Sequence, residues 1–134
     1  MIMKKQLMLL SGLLMSGYVL AQNPLSVHVL NLENGLPSQK VMVTLEEQKN
    51  GKWVKISEGL TDEQGRISAL YPEGKKLEKN TYKVTFKTGD WYKTNKQDSF
   101  FPEVPVIFNV DGKLSHYHIP LLMSPYGYST YRGS

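Results

Sequence analysis

The chain has 134 residues, no cysteine, and 16 basic against 12 acidic residues, which gives a formal net charge of +4. This length predicts one domain, and the lack of cysteine excludes disulfide bonds as a source of stability. The basic residues are scattered and do not form a stripe, so the modest positive charge argues against a nucleic-acid-binding protein.

The N-terminal segment has the pattern of a secretory signal peptide. Lys4 and Lys5 precede a mostly apolar stretch, residues 7–20, and small or branched residues lie just before a cleavage point. The stretch is shorter than the roughly 20 apolar residues that a transmembrane helix needs. We therefore expect residues 1–21 to be removed. Residues 22–134 are expected to be exported as a soluble domain that does not bind the membrane. This domain would be periplasmic in a Gram-negative bacterium and secreted in a Gram-positive one.

The rest of the chain alternates between apolar and polar side chains with a period of two, which is typical of β-strands. Asn50-Gly51 and Asp111-Gly112 are turn sequences between such segments. One short helix is predicted around residues 90–97, where Trp91 and Asn95 share a face. Short strands separated by turns predict an all-β protein, an antiparallel β-sandwich of seven to eight strands with one short helix. The predicted strands cover residues 25–30, 41–46, 53–56, 66–70, 82–87, 104–110, 115–122 and 126–132.

The alternation also predicts which side chains leave the core. In the first strand the valines and Leu25 form the core face, so His28 points outward beside Leu30. The same parity in residues 115–122 places His118 outward. The residues expected to share its face are His116, Pro120 and Leu122. Such an apolar outer face is typical of a surface that another subunit covers, and Pro120 indicates a sheet edge or a bulge because it cannot donate a ladder hydrogen bond.

The last four residues, Tyr131 to Ser134, carry unusual chemistry for a chain end, which is normally frayed and tolerant of change. They follow closely on His116 and His118, two of the three histidines in the sequence. We therefore expect this tail to form part of a functional site.

Five segments carry a resemblance to a known family: residues 25–31, 35–37, 61–66, 100–103 and 116–134. They resemble the 5-hydroxyisourate hydrolases, the transthyretin-related enzymes of urate breakdown. The resemblance covers essentially all of the chain after the signal segment. The closing Tyr-Arg-Gly-Ser is its most specific element, because it separates these hydrolases from the hormone-carrying transthyretins.

The resemblance implies a transthyretin-like fold and a homotetramer, a dimer of dimers, with active sites in a channel between facing sheets. It assigns catalysis to His28, Arg66 and His118, and substrate binding to these three together with Tyr131 and Ser134, with no metal and no cofactor. The implied reaction opens the cyclic amide of 5-hydroxyisourate with water, giving 2-oxo-4-hydroxy-4-carboxy-5-ureidoimidazoline.

These residue types suit that chemistry. Histidine, with an ordinary pKa of about 6.5, can accept or return a proton near neutrality. One of His28 and His118 is expected to deprotonate the water while the other orients the substrate or returns the proton, and the sequence does not decide which. Arg66 offers a cationic donor fork for the substrate oxygens and the developing charge, and Arg132 is expected to hold the tail.

Other interpretations of the same residues remain open. A single histidine on a strand is more often a satisfied polar residue, and His116 with His118 also fits two metal ligands. Since no third ligand stands at motif spacing, we predict no catalytic metal and a structural role for His116. The second functional class is a non-catalytic exported carrier or binding module. A carrier predicts lysine and threonine in place of His28 and His118.

Overall fold

The structure is a computed structural model that describes residues 22–134, so the predicted signal peptide lies outside the described residues. Within this range the chain forms nine strands and one helix. They are β1 (Leu25–Asn31), β2 (Leu36–Pro37), β3 (Met42–Lys49), β4 (Lys52–Leu60), β5 (Arg66–Ile67), β6 (Asn80–Phe86), α1 (Thr88–Thr94), β7 (Val104–Val110), β8 (Tyr117–Ser124) and β9 (Gly127–Thr130).

The strands form two sheets, which confirms the predicted β-sandwich. One sheet has the order β2-β1-β8-β9, with β5 also paired to β1, and the other has the order β4-β3-β6-β7. The strand number exceeds the expected seven to eight because β2, which is only two residues long, was not predicted. The strand predicted at residues 66–70 is present as the two-residue β5. Such short segments carry too few residues to show a period of two.

The pairing of β1 with β8 differs from the expected antiparallel arrangement, because these two strands run parallel. Parallel neighbours require a long crossover connection, and here the whole second sheet is inserted between β1 and β8 in the chain. Alternation of apolar residues reports which face is buried and not the direction of the neighbouring strand, so the sequence could not predict this pair.

The core lies between the two sheets and is built from alternate residues of each strand. Leu25, Val27 and Val29 of β1 are fully inaccessible to solvent, and so are Val43 and Leu45 of β3. Full burial of a side chain of this size stabilises the fold by about 1.5–3 kcal/mol. Since the chain has no cysteine, this core supplies the stability that disulfide bonds provide in many exported domains.

The expected parity of β1 and β8 is confirmed for their inward residues, because Tyr117, Ile119 and Leu121 are buried. Pro120 shares the outward face but is buried. It does not lie at a sheet edge, because β8 is flanked by β1 and β9. The ladder between β8 and β9 is nevertheless interrupted there: it ends at the pair Leu121 and Thr130 and resumes as a single bridge at His118.

The helix α1 begins two residues before the predicted segment and ends before Asn95. The side-chain amide of Asn95 donates to the carbonyl of Trp91 at 2.8 Å, so the two residues do share a face. Trp91 is partly buried and packs against the core. No helix within residues 22–134 combines the length and apolarity needed to cross a membrane.

Candidate active site

The outer face of the five-stranded sheet brings the predicted site residues together because β1 lies between β5 and β8. His28 of β1 is opposite Arg66 of β5 on one side and Pro120 of β8 on the other. Ser26, two residues before His28, is opposite His118. Side chains of directly opposed residues project from the same face of a sheet. The arginine and the two histidines therefore occupy one surface.

This surface forms a cavity of about 520 Å³. All five residues that the sequence assigned to the site line it: His28, Arg66, His118, Tyr131 and Ser134. Seven more residues complete the lining: Gln22, Ser26, Val27, Ser68, His116, Pro120 and Gly133. Residues separated by more than a hundred positions thus meet in one place. Their roles in catalysis remain predictions.

A tight turn before β5 holds Arg66. The carboxylate of Asp62 accepts hydrogen bonds from the backbone N–H groups of Gln64 and Arg66, each at 2.9 Å. The Arg66 N–H bond is the main cause that lowers the pKa of Asp62. Gly65 has a positive φ of 72°, and a β-carbon there would lie 2.4 Å from the carbonyl oxygen of Val29. Only glycine fits this close approach.

The tail closes the other side of the cavity. Gly133 donates its N–H to the carbonyl of His118 at 2.8 Å, in the same register as the β8–β9 ladder. The hydroxyl of Thr130 donates to the carbonyl of Pro120 at 2.7 Å. The backbone of Gly133 covers both Pro120 and the ring of His118, which explains why Pro120 is buried. Tyr131 and Ser134, which precede and follow Gly133, line the cavity and are exposed.

The two cavity histidines lie close together, with ring centroids 6.4 Å apart. Burial, followed by the positive charge of Arg66, lowers the pKa of His28 below 6.5. Burial is also the main cause that lowers the pKa of His118, with further contributions from Arg66, His116 and His28. Lower pKa values keep both imidazoles neutral near pH 7, and a neutral imidazole can accept a proton.

Sequence reasoning missed two contributors to this site. Ser26 contacts both nearby histidines: its Oγ lies 2.6 Å from Nδ1 of His118 and 3.0 Å from Nε2 of His116. Its position two residues before His28 on the same face was the available clue. Gly133 was noted only as part of the tail, and its contact with His118 depends on the β8–β9 register. Within residues 22–134, no three histidine, cysteine or acidic side chains group as metal ligands.

The arrangement provides two proton acceptors and a cation within one cavity. A neutral imidazole can deprotonate water, and a guanidinium can stabilise an oxyanion. The fold and the cavity together define a hydrolytic enzyme built on a β-sandwich.

Comparison with known proteins gives the family. The sequence profile of the HIUase/Transthyretin family matches residues 25–133, so the chain belongs to that family. A 5-hydroxyisourate hydrolase of Salmonella typhimurium is 50% identical over 112 residues, which cover 84% of this chain and 82% of the relative. The 5-hydroxyisourate hydrolase of Mus musculus is 36% identical over 114 residues, or 84% of this chain and 96% of the relative.

Two solved structures are similar in fold. The Klebsiella pneumoniae 5-hydroxyisourate hydrolase superposes with a TM-score of 0.70 at 33% identity, covering 84% of this chain and 94% of that one. Sea bream transthyretin in complex with thyroxine gives a TM-score of 0.77 at 28% identity, covering 82% and 94%. Backbone similarity therefore extends to both an enzyme and a carrier, and the side chains of the cavity must distinguish them.

Proposed function

We propose that the protein hydrolyses the cyclic amide of 5-hydroxyisourate to 2-oxo-4-hydroxy-4-carboxy-5-ureidoimidazoline. The observation that carries this proposal is the convergence of His28, Arg66 and His118 on one cavity. The similarity to proteins named 5-hydroxyisourate hydrolase over most of the chain gives independent support. The two imidazoles distinguish this cavity from that of a carrier, which has no need of proton acceptors.

In the proposed mechanism one imidazole removes a proton from water as the water oxygen attacks the amide carbonyl carbon. Negative charge then develops on the carbonyl oxygen, and Arg66 lies opposite His28, where it can stabilise that charge. The carbon–nitrogen bond of the ring breaks, and the protonated imidazole returns its proton to the leaving nitrogen. Tyr131 and Ser134 bind the substrate from the tail side of the cavity.

The active assembly is proposed to be a homotetramer, a dimer of dimers. Leu30 and Leu122 are opposed residues on the outward face, next to the pair of His28 and Pro120, and this apolar extension of the cavity floor suits a covering subunit. Sedimentation analysis of Leu122→Glu is expected to detect smaller species. Leu60→Glu, an exposed leucine on the other sheet, is the matched control and should assemble normally. Tetramers of Leu122→Glu would contradict the proposal.

Export to the periplasm is the remaining proposal, supported by the composition of residues 1–21. The N-terminal sequence of the protein recovered from a periplasmic fraction is expected to begin at Gln22. Recovery of the uncleaved chain from the cytoplasm would contradict both cleavage and export.

The proposed activity is tested by the ultraviolet decay of freshly prepared 5-hydroxyisourate, comparing the intact protein with one that lacks residues 131–134. The intact protein should accelerate the decay far above its spontaneous rate. The shortened protein should be at least about a hundredfold slower, because general acid–base groups contribute about 10²–10⁴-fold and His118 loses its covering backbone. Binding of urate-like ligands without acceleration by the intact protein would favour the carrier instead.

A further inference from the structure

A chain of hydrogen bonds runs from the backbone into the cavity. The carbonyl of Asn23 lies 2.7 Å from Nδ1 of His116. Nε2 of the same ring lies 3.0 Å from Oγ of Ser26, and that oxygen lies 2.6 Å from Nδ1 of His118. The proposed mechanism uses His118 but leaves Ser26 and His116 without a role.

The donors and acceptors in this chain fix one another. A carbonyl can only accept, so Nδ1 of His116 must donate its hydrogen to Asn23. A neutral His116 then has only a lone pair on Nε2, so the hydroxyl of Ser26 must donate to it. The serine has a single hydrogen and can only accept from His118. The hydrogen of a neutral His118 is therefore assigned, from these partners, to Nδ1.

This assignment determines which nitrogen of His118 can act on water. We propose that Ser26 and His116 are positioning residues that fix the tautomer of His118 and leave the lone pair on Nε2 as the general base of the hydrolysis. The inference deepens the proposed function and rests on it. Nδ1 is occupied by Ser26, and His118 lines the cavity, so Nε2 is the ring nitrogen available to a substrate water.

The same chain supports His118 after it has taken the proton. The ring is then an imidazolium, and its hydrogen bond from Nδ1 to Ser26 becomes charge-assisted and stronger. A hydrogen bond with the Ser26 backbone also favours the cation. The side-chain bond adds to it and counteracts burial, the largest effect against the cation, together with Arg66 on β5, His116 on β8 and His28 on β1. Loss of the Ser26 hydroxyl removes that support, so the pKa of His118 should fall further.

Protonation of His116 reverses the direction of these hydrogen bonds. Nε2 of a cationic His116 donates to Ser26, and the serine hydroxyl must turn to donate to Nδ1 of His118. A neutral His118 then carries its hydrogen on Nε2 and has no lone pair for the substrate water. The base role of Nε2 therefore requires the arrangement in which Nε2 of His116 accepts from Ser26.

The experiment is long-range ¹H–¹⁵N correlation spectroscopy of the full protein with labelled histidine, at a pH where His118 is neutral. The chain has only three histidines, so single variants assign each ring. Wild-type His118 should show a protonated Nδ1 and a bare Nε2. In Ser26→Ala the pattern should shift toward protonated Nε2, the form that free histidine favours. Ser26→Thr keeps the hydroxyl and should restore the wild-type pattern.

Kinetics supply the second readout. Ser26→Ala should lower kcat about tenfold or more with little change in KM, and it should move the acidic limb of the pH profile to lower pH, whereas Ser26→Thr should recover most of kcat. Ser57→Ala removes a serine hydroxyl on β4 of the other sheet and is the matched control. It should leave kcat and the pH profile unchanged. If Ser26→Ala does not fold, His116→Phe replaces it, because this variant removes the acceptor for the serine hydroxyl. His116→Phe should give a mixture of the two His118 tautomers. His116→Gln should preserve the Nδ1–H form of His118.

Two outcomes would overturn the inference: a wild-type His118 protonated on Nε2, or a tautomer that neither Ser26→Ala nor His116→Phe changes. The spectra do not depend on turnover. A wild-type protein that shows the Nδ1–H tautomer but does not hydrolyse 5-hydroxyisourate would therefore refute the proposed function and the base role of Nε2, and would leave the tautomer assignment standing.

Discussion

Gly133 lies so close to His118 that a β-carbon at position 133 would fall 2.6 Å from Cδ2 of the imidazole ring. The N–H of Gly133 donates to the carbonyl of His118 at 2.8 Å, which holds the two backbones together. The tail can therefore cover the ring only if this residue has no side chain. We expect the position of His118 in the cavity to depend on that contact.

Gly133→Ala is expected to displace the ring of His118 or to lift the tail. Overpacking of this kind lowers folding stability by about 1–3 kcal/mol. Misplacement of a catalytic group by about 1 Å can cost about a hundredfold in rate, so kcat/KM should fall about tenfold to a hundredfold. Gly127→Ala is the matched control, because a β-carbon there meets nothing closer than the Ser124 hydroxyl at 3.8 Å. Steady-state kinetics of the two variants decide the matter. Equal activity of Gly133→Ala and wild type would show that the tail does not position His118.

Arg66→Gln removes the cation opposite His28 and is expected to lower kcat by about 10²–10³-fold, the usual effect of losing one oxyanion-stabilising group. Lys52→Gln removes the same charge on the other sheet, at the start of β4, and should keep wild-type kinetics. A matching loss in both variants would mean that overall charge attracts the substrate and that Arg66 has no local role.

The Asp62 turn should matter for activity through Arg66. Asp62→Ala loses the acceptor for two backbone N–H groups, so KM should rise and kcat should fall while the melting temperature decreases. Asn34→Ala removes an equivalent contact, in which the side chain of Asn34 accepts from the N–H of Leu36 at 3.0 Å. That control should affect stability alone. Unchanged kinetics of Asp62→Ala would show that the turn does not position Arg66 for activity.

The pH dependence follows from the lowered pKa values of His28 and His118. Both rings are mostly neutral at neutral pH, so kcat/KM should decrease toward acidic pH with an apparent pKa below 6.5. Stability should change in the same direction. The unfolded chain, with ordinary histidine pKa values, takes up protons first, so the free energy of unfolding decreases as the pH falls below 6.5. An acidic limb of the kcat/KM profile with an apparent pKa above 6.5 would contradict the lowered values.

Much of the fold and most of the site residues could be predicted from the sequence. Alternation separates His28 and His118 from the core residues of their strands, and the family resemblance adds Arg66 and the tail. What alternation cannot supply is the partner of each strand. The parallel register of β1 and β8 places Ser26 opposite His118, and no local pattern encodes a contact between residues so far apart in the chain.

Two smaller features were also beyond sequence reasoning. The two-residue strand β2 is too short for a periodic signal. The burial of Pro120 depends on Gly133 passing over it, which requires knowledge of the register in which the tail continues β9.

The central claim is that imidazole groups in the cavity carry out the hydrolysis. The most direct test compares the rates at which His118→Asn and the wild type hydrolyse 5-hydroxyisourate, followed by stopped-flow ultraviolet absorbance. The melting temperatures of the two proteins should be equal, which shows that the variant is folded. We expect kcat to fall about 10²–10⁴-fold, the contribution of a general acid–base group. A folded His118→Asn protein that retains the wild-type rate would contradict the account.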